Sequence, residues 1–194
     1  MGRTQSYDTA AVIRRAREIF WESGYEDAAI PDLERATGLN RSSIYNAFGS
    51  KRGLFDAAVD SYLDEVIRPL LQPFSATPVA RDAIVEYFGR LRSTFHNADS
   101  PASANGCLLI NSANAPIARD AAVRETVAAY REELRAAIGR GVTAYRPTHD
   151  PGANARLADA CAAMIVAAFA LARVDNAAAL QCIDTAIHLL DDHT

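Results

Sequence analysis

The sequence predicts an all-α fold of about nine helices, a small N-terminal head of three short ones joined to a larger helical body. Three observations carry this. Alanine is abundant and β-branched residues are modest in number, which favours helix. Apolar residues recur at helical spacing through most of the chain, and no segment alternates as a half-buried strand does. Gly24, Gly38 and Gly49 cut the first part of the chain into pieces the length of short helices.

In order, Val12, Ile13, Ala16, Ile19 and Phe20 stripe a first helix from Tyr7 to Gly24, capped by Ser6 or Asp8. Pro31, suited to a first helical position, starts a second that Gly38 ends. Asn40 caps a third, Arg41 to Phe48, and Ser50 caps a fourth that begins at Lys51 and is kinked or ended by Pro69. A turn region, Gln72 to Pro78, follows. Helices are then expected over 79–96, 104–114, 118–144, 152–173 and 176–192, with loops at 97–103 and around RPTHDP. The domain boundary falls near residue 53, giving 1–53 and 54–194.

Composition narrows the function classes. The chain has 194 residues, 49% of them apolar and 23% charged, so a packed core is expected. The net charge is −4, yet residues 1–53 hold eight Lys/Arg against seven Asp/Glu, and the rest twelve against seventeen. That asymmetry directs a polyanion to the N-terminal part. Cys107, Cys161 and Cys182 show no metal spacing and no even pairing, which suits a reduced, cytoplasmic protein without metal or cofactor. The start, MGRTQSYDTAA, lacks the apolar core of a signal peptide. The longest apolar run, Ala160 to Ala172, has 13 residues where a membrane span needs roughly 20, and reads as a buried helix.

The stretch TGLNRSSIYNAFGSKRGLF carries the only lysine, Lys51. The turn Thr37-Gly38-Leu39-Asn40 joins the second and third helices at helix-turn-helix spacing, anchored by Leu33, Ala36, Leu39, Ile44 and Phe48. The opposite face of the third helix offers Arg41, Ser42, Ser43, Tyr45 and Asn46, a set that fits the major groove of double-stranded DNA. Ser50 and Lys51 open the fourth helix, where free N–H groups and the dipole favour a phosphate.

Those residues, within GYEDAAIPDLERATGLNRSSIYNAFGSKRGLF, resemble the DNA-binding head of the TetR family of bacterial repressors. Gly24-Tyr25, Ala36-Thr37-Gly38-Leu39-Asn40, Ile44-Tyr45 and Phe48-Gly49-Ser50-Lys51-Arg52-Gly53-Leu54 match in order and spacing, over about residues 8–63. The resemblance implies that Tyr45 and Lys51 grip phosphates and that Arg41, Ser42, Ser43 and Asn46 face the groove. Ala28, Ala29 and Ala47 stand where the family often has polar phosphate contacts, which shifts weight onto Lys51, Tyr45 and Arg41. Arg14, Arg15 and Arg17 read as solvated charges.

The body is expected to bind a small-molecule inducer and to form a homodimer. The segment DACAAMIVAAFAL is apolar nearly all round, so one face of its helix meets the core and another a partner subunit, with the last helix beside it. Tyr87, Leu91, Phe95, Cys107, Asn111, Tyr130, Met164 and Phe169 form the expected ligand pocket. Gly106-Cys107-Leu108-Leu109 resembles a stretch in a subgroup of these regulators that senses thiol-reactive signals. A palindromic operator suits paired heads. The alternatives are a helical ligand-binding dimer without DNA binding, and a small helical enzyme. Against the enzyme, His96, His149, His188 and His193 are scattered, and Glu132 and Glu133 point to different faces.

Overall fold

The computed structural model describes residues 7–148 and 150–191; the expected caps and histidines at Ser6, His149 and His193 lie outside them. Among the described residues there are eleven α-helical segments and no strand. Nine correspond in size to the expected helices, because α5 merely continues α4 and α7 is little more than one turn.

Helix α1 (Thr9–Asp27) is capped by Asp8, whose carboxylate accepts the Ala10 and Ala11 N–H groups. Its regular path breaks at Gly24, φ 78°. Helix α2 (Ile30–Thr37) ends at Gly38, which takes φ 73°, a left-handed backbone that a side chain disfavours. Helix α3 (Arg41–Phe48) starts under the Asn40 cap. The three pack around fully buried Ala16, Phe20, Leu33 and Ile44. Helix α4 (Lys51–Tyr62) closes this head by setting the Phe55 ring in edge-to-face contact with Phe20 at 5.2 Å and with Tyr25 at 5.1 Å.

Proline does not end this rod. Helix α4 passes into a π turn, Leu63–Ile67, then directly into α5 (Arg68–Leu71), whose Pro69 has no N–H to return to the preceding turn. The distortion therefore lies before the proline. A 3-10 turn, Gln72–Ser75, occupies part of the expected turn region.

Helix α6 (Ala83–His96) buries Ile84, Tyr87, Phe88, Leu91 and Phe95. The expected loop at 97–103 partly folds into α7 (Pro101–Asn105) under a Ser100 cap. Gly106 separates it from α8 (Leu108–Ala113), so the expected helix over 104–114 is two. A 3-10 turn, Pro116–Arg119, leads to α9 (Ala121–Tyr145), capped by Asp120. Helices α10 (Pro151–Leu171) and α11 (Asn176–Asp191) finish the body. By length and composition α10 could cross a membrane. Here its buried face, through Leu157, Cys161, Ile165 and Ala168, packs on α9 and α11. Burial pushes the Cys161 thiol up to about 12, so it is protonated at neutral pH.

Candidate nucleic-acid interface

Arg41, Ser42 and Asn46 are exposed on α3, and Ser43 and Tyr45 are half-buried beside them, while Ile44 is fully buried on the opposite face. The Arg41 guanidinium lies over the Tyr45 ring, 5.3 Å from its centre, which pre-orders both long side chains. Two of the first N–H groups of α3 already have side-chain acceptors. The Glu34 carboxylate accepts the Arg41 N–H at 2.5 Å and Asn40 Oδ1 accepts the Ser43 N–H at 2.8 Å. Helix α3 thus presents mainly side chains.

At the start of α4, Ser50 Oγ accepts the Gly53 N–H at 3.0 Å, leaving its own O–H free to donate. Lys51 Nζ donates to the Glu26 carbonyl at 3.2 Å and sits 4.7 Å from the centre of the Tyr25 ring. Partial burial lowers its pKa, while Glu26 and Asp27 pull it back up. One of three ammonium donors is used, so two can meet an anion. The Tyr25 ring and the Glu26 carbonyl, just past the break in α1 at Gly24, are thereby the platform for Lys51, a link the spacing alone did not reveal.

Arg52, next in sequence, is committed elsewhere. Its Nε donates to Asp56 at 2.7 Å, and its two terminal nitrogens lie 2.9 and 3.1 Å from Asp120, the cap of α9. These partners raise the Arg52 pKa, and the guanidinium hydrogen bond depresses that of Asp120. Glu26 Oε1 accepts the Ile117 N–H at 2.7 Å, and Trp21 Nε1 donates to the Gly106 carbonyl at 3.0 Å. The head is thus pinned to the 106–120 segment of the body at three points. Arg17, expected to be solvated, instead bridges α1 to the rod through Ser61 at 3.0 Å and Glu65 at 2.9 Å.

Gly53 is the residue whose role spacing could not show. A Cβ there would stand 2.0 Å from the Phe48 carbonyl oxygen, so α3 and α4 meet at a distance only glycine permits.

Ala28 is buried, so only Ala29 and Ala47 are surface positions lacking the polar groups noted above. Ala29 is the N-cap of α2 and offers no side-chain hydrogen bond. Ala29→Ser should stabilise the fold by ~1 kcal/mol through the missing cap, raising Tm by about 2–4 °C. A thermal melt showing no rise would contradict that cap assignment.

The family model for bacterial regulatory proteins, tetR family, matches residues 12–58. A crystal structure of a TetR transcriptional regulator from Chloroflexus aurantiacus J-10-FL is 30% identical, covering 93% of this chain and 90% of that one, with a TM-score of 0.70. The chain belongs to the TetR family. Another TetR-family structure, a cysteine mutant of the regulator CifR complexed with a 26-base-pair operator DNA, is 27% identical over 97% of this chain and 98% of that one, TM-score 0.77. Among curated relatives, the uncharacterized HTH-type transcriptional regulator YezE of Bacillus subtilis (strain 168) is 40% identical over 124 residues, spanning 62% of this chain and 60% of that protein. The chain therefore aligns with less than two thirds of that relative's length.

The body of this TetR-family chain holds a narrow cleft of about 60 Å³ between the α4–α5 rod and α6. It brings together Tyr87, Leu91 and Phe169 of the expected pocket, and adds Trp21, Tyr62, Val66, Ile67 and Leu70, from the first helix and the rod, which the sequence reading did not include. Phe95, Cys107, Asn111, Tyr130 and Met164 do not line it. Phe95 packs on Phe169, Asn111 donates to the Asn105 carbonyl at 2.7 Å, and Met164 is half-buried on α10. Cys107 is fully buried at the start of α8, its Sγ 3.8 Å from the Tyr130 hydroxyl. Burial raises the pKa of Tyr62 and Tyr130 beside it, keeping both phenols protonated.

Among the described residues no His/Cys/Asp/Glu group could hold a metal. Glu132 and Glu133 serve separate ion pairs, with Arg135 at 3.7 Å and Arg68 at 3.5 Å.

Proposed function

We propose that the protein is a cytoplasmic, ligand-responsive transcriptional repressor that binds a palindromic operator as a homodimer, and is not an enzyme. In this reading residues 1–53 are the DNA-binding domain and 54–194 the ligand-binding and dimerisation domain. The observation that carries it is the side of α3 opposite buried Ile44, where Arg41, Ser42 and Asn46 are exposed and Ser43 and Tyr45 half-buried, followed at once by half-buried Ser50 and Lys51 at the start of α4. Tyr45, Ser50 and Lys51 hold phosphates and set register; Arg41, Ser42, Ser43 and Asn46 read base edges. Support also comes from the operator complex of the CifR mutant, a relative of the same fold and length.

The last two helices supply the dimer face. Ala163, Ala167 and Ala170 on α10, with Val174 beyond its end, and Ala178, Cys182, Thr185 and Leu189 on α11 recur at helical spacing and are exposed or half-buried in one chain, a largely apolar set. Val174 is 85% exposed in one chain, a position that a partner subunit would cover. A neutral, largely apolar effector enters the cleft lined by Tyr62, Tyr87, Leu91 and Phe169, and Cys107 behind it supports response to a thiol-reactive signal.

Selection of duplexes from a random pool tests this reading. The expected product is an inverted repeat whose half-sites lie about 34–36 Å apart, or a multiple of that, protected on one face in footprints. Recovery of no enriched sequence would leave a helical ligand-binding dimer as the better account.

A further inference from the structure

A second hollow in the body is far wider than the cleft. It is a groove of about 570 Å³, against about 60 Å³ for the cleft, between α9 and the start of α10, flanked by Pro78 and Val79. No residue lines both. Small-molecule sites span roughly 300–1,000 Å³. Four polar side chains border the groove, Arg135, Arg140, Thr143 and Asn154, and among the described residues no carboxylate does. Arg135 is committed: its Nε donates to Asp159 at 2.5 Å and its guanidinium lies 3.7 Å from Glu132. Arg140 is not. Its Nε donates to the Phe74 carbonyl at 2.8 Å, which tethers the guanidinium, and among the described residues no carboxylate pairs with its two terminal nitrogens. Thr143 is exposed, and its hydroxyl does not bond the carbonyl four residues back as those of Thr94, Thr126 and Thr185 do. Asn154 is only 5% exposed. Its Nδ2 donates to the Arg146 carbonyl at 3.0 Å, while its buried Oδ1 has no hydrogen-bond partner among the described residues. An unpaired buried acceptor is costly and rare in native folds, and asks for a donor from outside the chain.

We propose that this groove is a second small-molecule site, for an organic carboxylate that has an apolar body and an O–H or N–H donor. The site is independent of the DNA-binding face and of the cleft. With Nε occupied, Arg140 offers its end-on pair of terminal nitrogens, a planar fork that matches a carboxylate. Thr143, three residues on, shares that side of α9 and donates to the same anion. Val79, Ala144, Ala155 and Ala158 are the apolar wall for the body of the ligand. Its donor meets Asn154 Oδ1 and supplies the hydrogen bond that the fold leaves unmade. A neutral compound gains nothing from Arg140, and a carboxylate without a donor leaves Oδ1 unpaired.

Four probes on one phenylpropionate body test this in the full chain. 3-Phenyllactate carries the carboxylate and an O–H, and N-acetylphenylalanine the carboxylate and an N–H. 3-Phenylpropionate lacks the donor, and N-acetylphenylalaninamide lacks the charge. Each is titrated by calorimetry, and its position is read from backbone amide shifts. At least one of the first two should bind with a Kd below about 10 mM, shifting amides in 136–144 and 151–158 and leaving 62–70 and 83–94, around the cleft, unmoved. The analogues without donor or charge should bind at least about fivefold more weakly. Arg140→Gln should weaken the binding probe at least about tenfold, and Thr143→Val at least about threefold. Both positions are exposed, and an unchanged melting curve shows that the fold is kept. In Asn154→Leu the advantage of the binding probe over 3-phenylpropionate should vanish; if that variant does not fold, the comparison in the wild type decides. Binding by neither probe, shifts confined to the cleft, equal binding of 3-phenylpropionate, or undiminished binding to Arg140→Gln overturns the site.

Discussion

Gly53→Ala should lose DNA affinity by at least about tenfold and lower thermal stability at the same time, although alanine is the better helix former. Two effects compete. Replacing glycine by alanine gains at most about 1 kcal/mol of propensity, the value for a helix interior, and Gly53 lies in the first turn. Against it stands a new methyl 2.0 Å from the Phe48 carbonyl oxygen, where ordinary contact begins near 3.4 Å. The obstacle is backbone, so no rotamer change relieves it; α3 must move relative to α4. Overpacking of this kind costs about 1–3 kcal/mol, and the clash wins. The element that moves is the one bearing Arg41, Tyr45 and Asn46, while Lys51 stays with α4. Each base or phosphate contact put out of register is worth about 1–3 kcal/mol. Melting and duplex titration of the same variant check both halves. A Gly53→Ala protein with unchanged Tm and affinity would show that the α3–α4 junction has slack.

Ala170→Glu should convert the proposed dimer to monomers and lower operator affinity by more than about a hundredfold. Ala170 is exposed in the single chain, so the substitution leaves the protomer's own core intact. In a symmetric interface it places two like charges among small apolar side chains, and desolvating each costs several kcal/mol. A monomer holds one half-site and loses the effective concentration that the second head gains from the first. Sedimentation of Ala170→Glu and wild type, followed by titration on the selected duplex, measures both losses. A dimer of undiminished stability would move the interface away from this face.

Much of the head was legible because its signals are local. Asn40 and Ser50 are caps whose acceptors each reach three residues along the chain, and Gly38 ends a helix by its own backbone preference. Such features need no knowledge of the rest of the fold. What escaped the sequence depends on elements far apart. Arg17 bonds residues 44 and 48 positions away, and Arg52 meets Asp120 68 positions on. No spacing rule predicts such pairs, so Arg17 read as solvated and Arg52 was given no partner. The cleft shifted for the same reason: aromatic content pointed to helices of the body, but packing brought in Trp21 and Tyr62 from the head side. The π turn had only Pro69 as its signal, and the distortion formed before the proline.

Lys51 gives the most direct measurement of the central claim, that the α3 face and the start of α4 hold duplex DNA. The slope of log affinity against log salt should be measured for wild type and Lys51→Ala on the selected duplex and on an unrelated one. The account predicts weaker binding to both, by about tenfold per head, with the slope shallower by about one for each Lys51 removed. An unchanged slope with unchanged affinity on both duplexes would contradict it.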